Sequence, residues 1–441
     1  MKLPFALALA ALINLLAVTV QAAPVTLIYS SNLDGELEPC GCTESGDMGG
    51  LKRRASVLEA LRKDNPELVV ISAGGLLSAQ MTSNPIKNRY ILSAIDQLDY
   101  DVVGLQWTDL SYGFQALNSA PLPWVASNWH DEQFAKAIKI ERAQASLHYF
   151  QWLDPKQSPY RQMGTGNYKT QANPETLMQA LKVARQHNGT TVVGTTLTLE
   201  RARQELPLEL IDLLLIEARY EELGEPQLLT TGNSASTLVI QPGSRGMRLG
   251  QLDLEIATNG RIKSWQHQEI KLPPSVGDAP SMADWYSAYN EEIKRYYQQR
   301  VEQRKALRDG SSPFLGNGQC AACHSTSAAL WKQSEHAKAI ADLQAVGKSY
   351  DPECLACHTL GLNTEGGYLD QLSTPHLANV LCENCHGAGR EHVESVGQIP
   401  PPIPRPNEAN CQQCHNRSHS PEFNFPTYWD KIRHGKEATL P

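Results

Sequence analysis

Beyond its first 23 residues the chain has no apolar run approaching the roughly 18 residues that can span a bilayer. Positive charge is also short: Lys and Arg number 39 against 47 Asp and Glu, a formal net charge of -8 at pH 7. Nucleic acid is therefore not an expected partner, because non-specific affinity for phosphate backbones comes from clustered cations. An acidic surface suits a basic partner or small molecules instead. The third scarcity is local. Residues 318–441 lack strand-forming runs and are dominated by Cys, His, Gly and Pro, with a Pro-rich break at 400–406. A segment so short and so poor in aliphatic side chains excludes an ordinary hydrophobic core.

What is present begins with Met1-Lys2-Leu3 and an apolar stretch to Val20, broken only by Asn14 and Thr19, ending in Val20-Gln21-Ala22-Ala23 before Pro24. A charged start, an apolar middle and a small-residue end describe a secretory signal peptide over residues 1–23. A retained anchor is the alternative. No Cys stands beside the cleavage point, which argues against a lipid-anchored form. The mature chain is expected to be exported, to the bacterial periplasm or cell exterior, with no membrane span after signal cleavage.

With 441 residues and roughly 150 per domain, two or three units are expected. Residues 24–272 alternate short apolar runs, at 25–29, 68–72, 102–105, 124–127, 191–194, 211–216, 238–241 and 249–254, with helical patterns at 51–62, 89–98 and 175–187. This is the signature of an α/β domain with largely buried strands. Residues 273–317 turn to Pro and Gly and then to a charged, aromatic helix at 285–308, and read as a helical linker. Residues 318–441 form the last unit.

Eight of the ten cysteines fall in four motifs: Cys320-Ala321-Ala322-Cys323-His324, Cys354-Leu355-Ala356-Cys357-His358, Cys382-Glu383-Asn384-Cys385-His386 and Cys411-Gln412-Gln413-Cys414-His415. Two thiols three positions apart can add to the two vinyl groups of one haem, which brings the next imidazole beneath the iron. Paired Cys-x-x-Cys sets also make zinc ribbons, but zinc needs no His directly after every second Cys. Four covalently bound haem c groups are expected, with His324, His358, His386 and His415 as proximal ligands. They would also supply the apolar mass that the segment lacks. Nine of the chain's thirteen His residues lie here, leaving His336, His376, His392, His419 and His434 as candidates for the distal positions.

Specific sequence surrounds these motifs: Trp331-x-x-Ser334-x-His336-Ala337, Cys357-His358-Thr359-x-Gly361, Cys382-Glu383-x-Cys385-His386-Gly387-x-Gly389-x-x-His392 and Tyr428-Trp429-Asp430-Lys431-Ile432-Arg433-His434. In this order they resemble the tetrahaem cytochrome family that takes electrons from hydroxylamine oxidoreductase. The resemblance implies a mostly helical, loop-rich stack of haems in close pairs, three bis-histidine and one, at the second motif, open or weakly filled. Carried over by motif, His392 would serve the first haem, His336 the third and His434 the fourth. His376 and His419 could instead complete a fourth pair and close the open site.

The first unit carries Ser30-Ser31-Asn32-Leu33-Asp34-Gly35, Gly49-Gly50-Leu51-Lys52-Arg53-Arg54-Ala55, Val69-Val70-Ile71-Ser72-Ala73-Gly74-Gly75, Tyr100-Asp101-Val102-Val103-Gly104-Leu105-Gln106, Ala126-Ser127-Asn128 and Gln241-Pro242-Gly243-Ser244-Arg245-Gly246. This order of elements resembles the metallophosphoesterase domain of periplasmic 5′-nucleotidases and of the related thiosulfate-oxidation enzyme. That resemblance implies an α/β sandwich, but the two-metal ligands that such hydrolysis needs are missing. Asn32-Leu33-Asp34-Gly35 replaces Asp-x-His-Gly, Gly74-Gly75 replaces Gly-Asp, and Gly104-Leu105-Gln106-Trp107 replaces Gly-Asn-His-Glu. The later Gly-His-x-His is replaced near Glu217-Ala218-Arg219-Tyr220. Only Asn128 survives, so phosphoesterase activity is not expected.

The last two cysteines stand in Glu38-Pro39-Cys40-Gly41-Cys42, a loop that would overhang the lost metal site. Cys40 and Cys42 can bind a soft metal such as Cu(I), close as a disulfide that fixes the loop, or carry sulfur as a persulfide. The chain thus reads as an electron carrier working with redox partner proteins, its first unit a docking or substrate module. The alternative is an oxidoreductase acting on a small nitrogen or sulfur compound, at an open haem or at the Cys40/Cys42 loop.

Overall fold

The computed structural model describes residues 25–39, 47–78, 83–143, 145–162, 169–216, 224–231, 235–416 and 419–434. The leader, Cys40, Cys42 and residues 217–220 lie outside them. The first unit holds two six-stranded sheets. In one, β1 (Val25–Ser30), β2 (Val69–Ser72), β3 (Val102–Gly104) and β4 (Trp124–Val125) run parallel. The other holds β5 (Ile138–Arg142), β6 (Ala145–Trp152), β7 (Thr190–Thr195), β8 (Leu213–Ile216), β9 (Gln227–Thr231) and β10 (Ala235–Ile240). β11 (Arg248–Ile256) and β12 (Ile262–Lys271) return to extend the first sheet, β11 lying antiparallel against β1.

Alternate side chains explain the layering, since successive residues of a strand point to opposite faces. Leu27, Tyr29, Val69, Ile71 and Val102 meet Leu147, Tyr149, Val192, Leu213 and Leu238 in one core between the sheets. The opposite faces, through Ile28, Val70 and Val103, pack on helices α1 (Leu51–Asp64) and α2 (Asn84–Gln97). Phe150, Val193, Leu214 and Val239 pack on the helix Glu175–Gln186. The expected α/β sandwich is what forms, with α2 starting five residues before the expected helix.

The helix Ala283–Ala306 is more than the expected linker. It buries Trp285, Tyr289, Ile293, Tyr297 and Val301, one residue in four. At 3.6 residues per turn such a stripe drifts about 40° per step, so its two ends face nearly opposite sides of the helix. Trp285, Tyr289 and Ile293 accordingly join the α/β core. Tyr297 and Val301 join a small cluster with Ile340, Leu343, Leu355, Tyr368 and Leu377. That cluster is the main apolar core of the last unit, whose remaining chain is short helices and turns. Among the described residues no helix is long and apolar enough to cross a membrane.

Candidate functional site

Each Cys-x-x-Cys-His motif lies on or at the end of a short helix: Asn317–Cys323, Pro352–His358, Cys382–His386 and Glu408–Cys411. One helical turn places residues three apart on one face, so both thiols of a motif face the same way with the imidazole just beyond. All eight thiols are free of disulfides. Cys320 is hydrogen-bonded to Cys382, which lowers the first thiol and raises the second, and Cys414 is hydrogen-bonded to Cys357. The first motif therefore adjoins the third, and the second adjoins the fourth.

Three imidazole pairs form among the described residues. Ring centres lie 6.1 Å apart for His324 and His392, 6.1 Å for His336 and His415, and 5.8 Å for His386 and His434. An imidazole nitrogen sits about 2 Å from a bound first-row metal, so two rings sharing one metal have centres about 6 Å apart. Every pair joins one motif histidine to one distal candidate. His392 faces the first motif, His336 the fourth and His434 the third, and the last two differ from the pairings that the resemblance implies. The reason is the wrapping: Trp331 donates its indole N–H to the Val380 carbonyl at 2.7 Å, and the Val380 amide donates to the His336 carbonyl at 3.2 Å. These contacts fix the His336 segment beside the strand of chain entering the third motif while its ring reaches the fourth.

The rings are also oriented. Nδ1 of His358, His386, His392 and His434 contacts the carbonyls of Ala339, Ile403, Ile399 and Ile432 at 2.6, 2.9, 2.7 and 3.1 Å. A carbonyl only accepts, so Nδ1 carries the proton and Nε2 keeps a lone pair for a metal. His415 Nδ1 lies 3.0 Å from the Ser420 hydroxyl. Burial lowers His336, His386 and His415, which keeps them neutral. Paired imidazoles, four of the six with Nδ1 in contact with an oxygen, beside paired thiols fit a c-type haem.

His358 joins none of the three pairs. His376 lies exposed on the turn Pro375–Leu377, and among the described residues no ring stacks on it. His419 donates its amide to Asn416 and is likewise in none of the three pairs.

In the first unit the positions where the resemblance would put metal ligands are joined by direct hydrogen bonds. Asp109, fully buried, accepts from the amides of Gly75, Leu76, Leu77 and Gln106 at 2.9, 2.7, 3.2 and 3.0 Å. Burial pushes its carboxyl up to about 6 despite those donors. The Gln106 amide donates to Ser31 Oγ and the Ala73 carbonyl, both at 3.0 Å. A side chain on Gly75, at φ +72°, would lie 2.7 Å from Asn32 Oδ1 and 2.9 Å from Gln106 Oε1. Asn128 bonds the Leu153 backbone through both ends of its amide, at 2.8 and 3.1 Å. Among the described residues no three His, Cys, Asp or Glu are grouped to hold a metal ion.

The loops beyond the carboxyl ends of β1 and β2, where α/β folds usually take ligands, meet the second motif instead. Glu38 bonds Lys348 and Tyr286, and Lys348 also bonds Asn290 Oδ1 at 2.8 Å. From α2, Lys87 and Asn84 bond the Glu353 carboxylate at 2.6 and 2.9 Å. This seam was not read from the sequence: Glu38 was singled out only as a neighbour of Cys40, and Asn84, Lys87, Lys348 and Glu353 belong to no motif.

The fold and site together define a metallophosphoesterase-like α/β unit joined through a shared helix to a c-type cytochrome segment. Residues 319–387 match the family described as cytochrome c554 and c-prime, a span that holds the first three motifs. Cytochrome c-554 of Nitrosomonas europaea is 35% identical over 94 residues, 18% of this chain and 40% of that protein. The C-type polyheme cytochrome OmcB of Geobacter sulfurreducens is 35% identical over 89 residues, 19% of this chain and 12% of that protein. The chain thus spans less than half the length of these curated relatives.

Among solved structures, a 5′-nucleotidase precursor from Thermus thermophilus superposes with TM-score 0.52 at 16% identity, over 61% of this chain and 59% of its own. The sulfate thiohydrolase SoxB from Thermus thermophilus gives 0.50 at 13% identity, over 61% and 60%. At such identities the likeness is one of fold.

Proposed function

We propose that the protein is an exported tetrahaem c-type cytochrome that carries electrons between redox partner proteins. Its α/β unit, residues 24–272, serves as a non-phosphatase module docked through the helical linker 273–317 onto the haem unit, residues 318–441. The observation that carries this reading is the three imidazole pairs, each made of one motif histidine and one distant histidine at metal-sharing separation. Bound through Cys320/Cys323, Cys354/Cys357, Cys382/Cys385 and Cys411/Cys414, haem supplies one-electron chemistry whose potential follows axial ligand, burial and hydrogen bonding. The chain's part is to hold His358, His386, His392 and His434 by their Nδ1–H, which leaves Nε2 of those rings with a lone pair, and to set the first motif beside the third and the second beside the fourth. The direct test is a pyridine haemochrome assay with intact mass: four covalent haems per chain support the reading, and metal bound as zinc overturns it.

A second reading is favoured by His358, the motif histidine that joins none of the pairs. A small nitrogen or sulfur compound would then bind at the haem held by His358, or react at Cys40/Cys42, two and four residues after Glu38, which bonds Lys348. Cu(I) at Cys40/Cys42 belongs to this reading. A high-spin haem signal altered by nitric oxide or cyanide supports chemistry at the second haem. Unchanged reduction kinetics in a Cys40→Ser/Cys42→Ser protein exclude the thiol route.

A further inference from the structure

The seam between the two units carries a charge imbalance beside the second motif. Three carboxylates meet there: Glu38 from the loop after β1, and Asp351 and Glu353 from the start of the helix Pro352–His358. Two cations answer them. Lys348 is 8% exposed and bonds Glu38; Lys87, also 8% exposed, bonds Glu353 at 2.6 Å. Asp351 is left over. It is 3% exposed, its nearest cation is Lys348 at 3.8 Å, and its hydrogen bond is to the Glu353 amide at 3.0 Å.

Among the described residues, the other groups facing this seam do not restore the balance. The long helix contributes the hydroxyls of Tyr286 and Tyr289, both raised by burial, and the neutral Asn290. Lys52 reaches the Tyr286 ring but is paired with Asp278 at 2.5 Å, and Glu36 is held by Arg245 at 3.4 Å. Lys294 lies over Tyr350 at 6.0 Å. A buried surplus carboxylate is costly as an anion, and the cheapest remedy is a proton. Burial first, then Glu353 and Glu38, raise Asp351 to about 6 against the pull of Lys348 and Lys87.

The same seam adjoins the second haem attachment. Cys354 is partly buried, packed against the small apolar cluster of the haem unit, and its thiol is raised well above the ordinary range by desolvation and by the charges of Asp351, Glu38 and Glu353. A charge change in a group bonded to Cys354 is thus felt at Asp351 through protein rather than through water.

We propose that Asp351 is the proton-binding partner of the second haem site, taking up one proton as one electron enters the group held by Cys354, Cys357 and His358. The inference rests on haem being bound there. The electron comes from an external one-electron donor and the proton from solvent; one O–H bond forms on the Asp351 carboxylate, and both steps reverse on oxidation. Solvent reaches the cluster through Glu38, whose side chain is 23% exposed and hydrogen-bonded to Lys348. Lys348 is thereby a positioning residue, holding the surplus charge on Asp351 by committing itself to Glu38.

The sign follows from electrostatics. Reduction adds negative charge beside Asp351 and raises its affinity for a proton, so the potential of one haem falls as pH rises above about 6. The limit for one proton per electron is tenfold in the reduction equilibrium per pH unit, about 59 mV.

The test is a spectroelectrochemical titration of the full-length holoprotein, reduced with dithionite, between pH 5 and 9. One haem should show a sloping potential in the native chain and a flat one in Asp351→Asn, which keeps an oxygen to accept the Glu353 amide. Glu38→Gln removes a neighbouring negative charge and frees Lys348 for Asp351, so the onset of the slope should move to lower pH. An unchanged slope in Asp351→Asn would assign the proton to the haem propionates, and a native protein without any slope would leave the carboxylate uncoupled; either overturns the proposal. Haem stoichiometry is measured in parallel. A Cys354→Ser/Cys357→Ser protein that carries as many haems as the native chain removes the underlying assignment instead, so the two failures are distinguishable.

Discussion

His336 is the side chain whose assignment most changes the picture of the haem unit. It stands against His415, with ring centres 6.1 Å apart, while His434 stands against His386 at 5.8 Å. Replacing His336 with Ala should convert one haem from low-spin to high-spin, seen by electron paramagnetic resonance. The new signal should vanish when Cys411→Ser and Cys414→Ser are added, and persist with Cys382→Ser and Cys385→Ser. The reverse pattern would restore the assignment implied by sequence resemblance. The four motif histidines were legible because each is fixed by its two neighbouring cysteines. Their distal partners were legible only as a set, because which ring crosses to which motif depends on how the short helices wrap.

At the scale of elements, the loop after β2 rests on one carboxylate. Asp109 accepts from four backbone amides contributed by residues 75–77 and 106. Asp109→Ala would leave those buried donors without an acceptor, and should lower unfolding stability by about 3 to 5 kcal/mol in urea titration. Asp109→Asn, which keeps one acceptor oxygen, should cost less; equal losses would mean that packing rather than hydrogen bonding dominates. The apolar strands β1, β2, β3, β7 and β8 were readable from their Val, Ile and Leu runs. β12 was not, because it lies at a sheet edge with polar residues on both faces, Lys263, Gln266 and Glu269 among them. β5 and β6 were missed because their two short alternating patterns, Ile138-Lys139-Ile140 and Leu147-His148-Tyr149, lack a long apolar run.

Across the whole molecule, the two units differ in what holds them. The first has cores between its sheets and on both outer faces, whereas the last has one small cluster, part of it borrowed from the helix Ala283–Ala306. A chain expressed without covalent haem attachment should therefore keep a protease-resistant α/β unit while residues beyond the long helix are digested. Equal resistance of both units would show that the polypeptide folds there unaided. The seam was invisible in the sequence for a physical reason: Glu38, Lys87, Lys348 and Glu353 come from three distant stretches, and only the docked fold brings their charges together.

The central claim is that the four motifs carry haem, three with paired imidazoles and the second, at His358, with an open face. Electron paramagnetic resonance of the haem-loaded protein, with haem counted per chain and with and without cyanide or nitric oxide, tests it most directly. The account predicts four haems, three low-spin and indifferent to the added ligand, one high-spin and altered by it. Four low-spin, unresponsive haems would contradict the open site, and a protein holding zinc instead of haem would contradict the account as a whole.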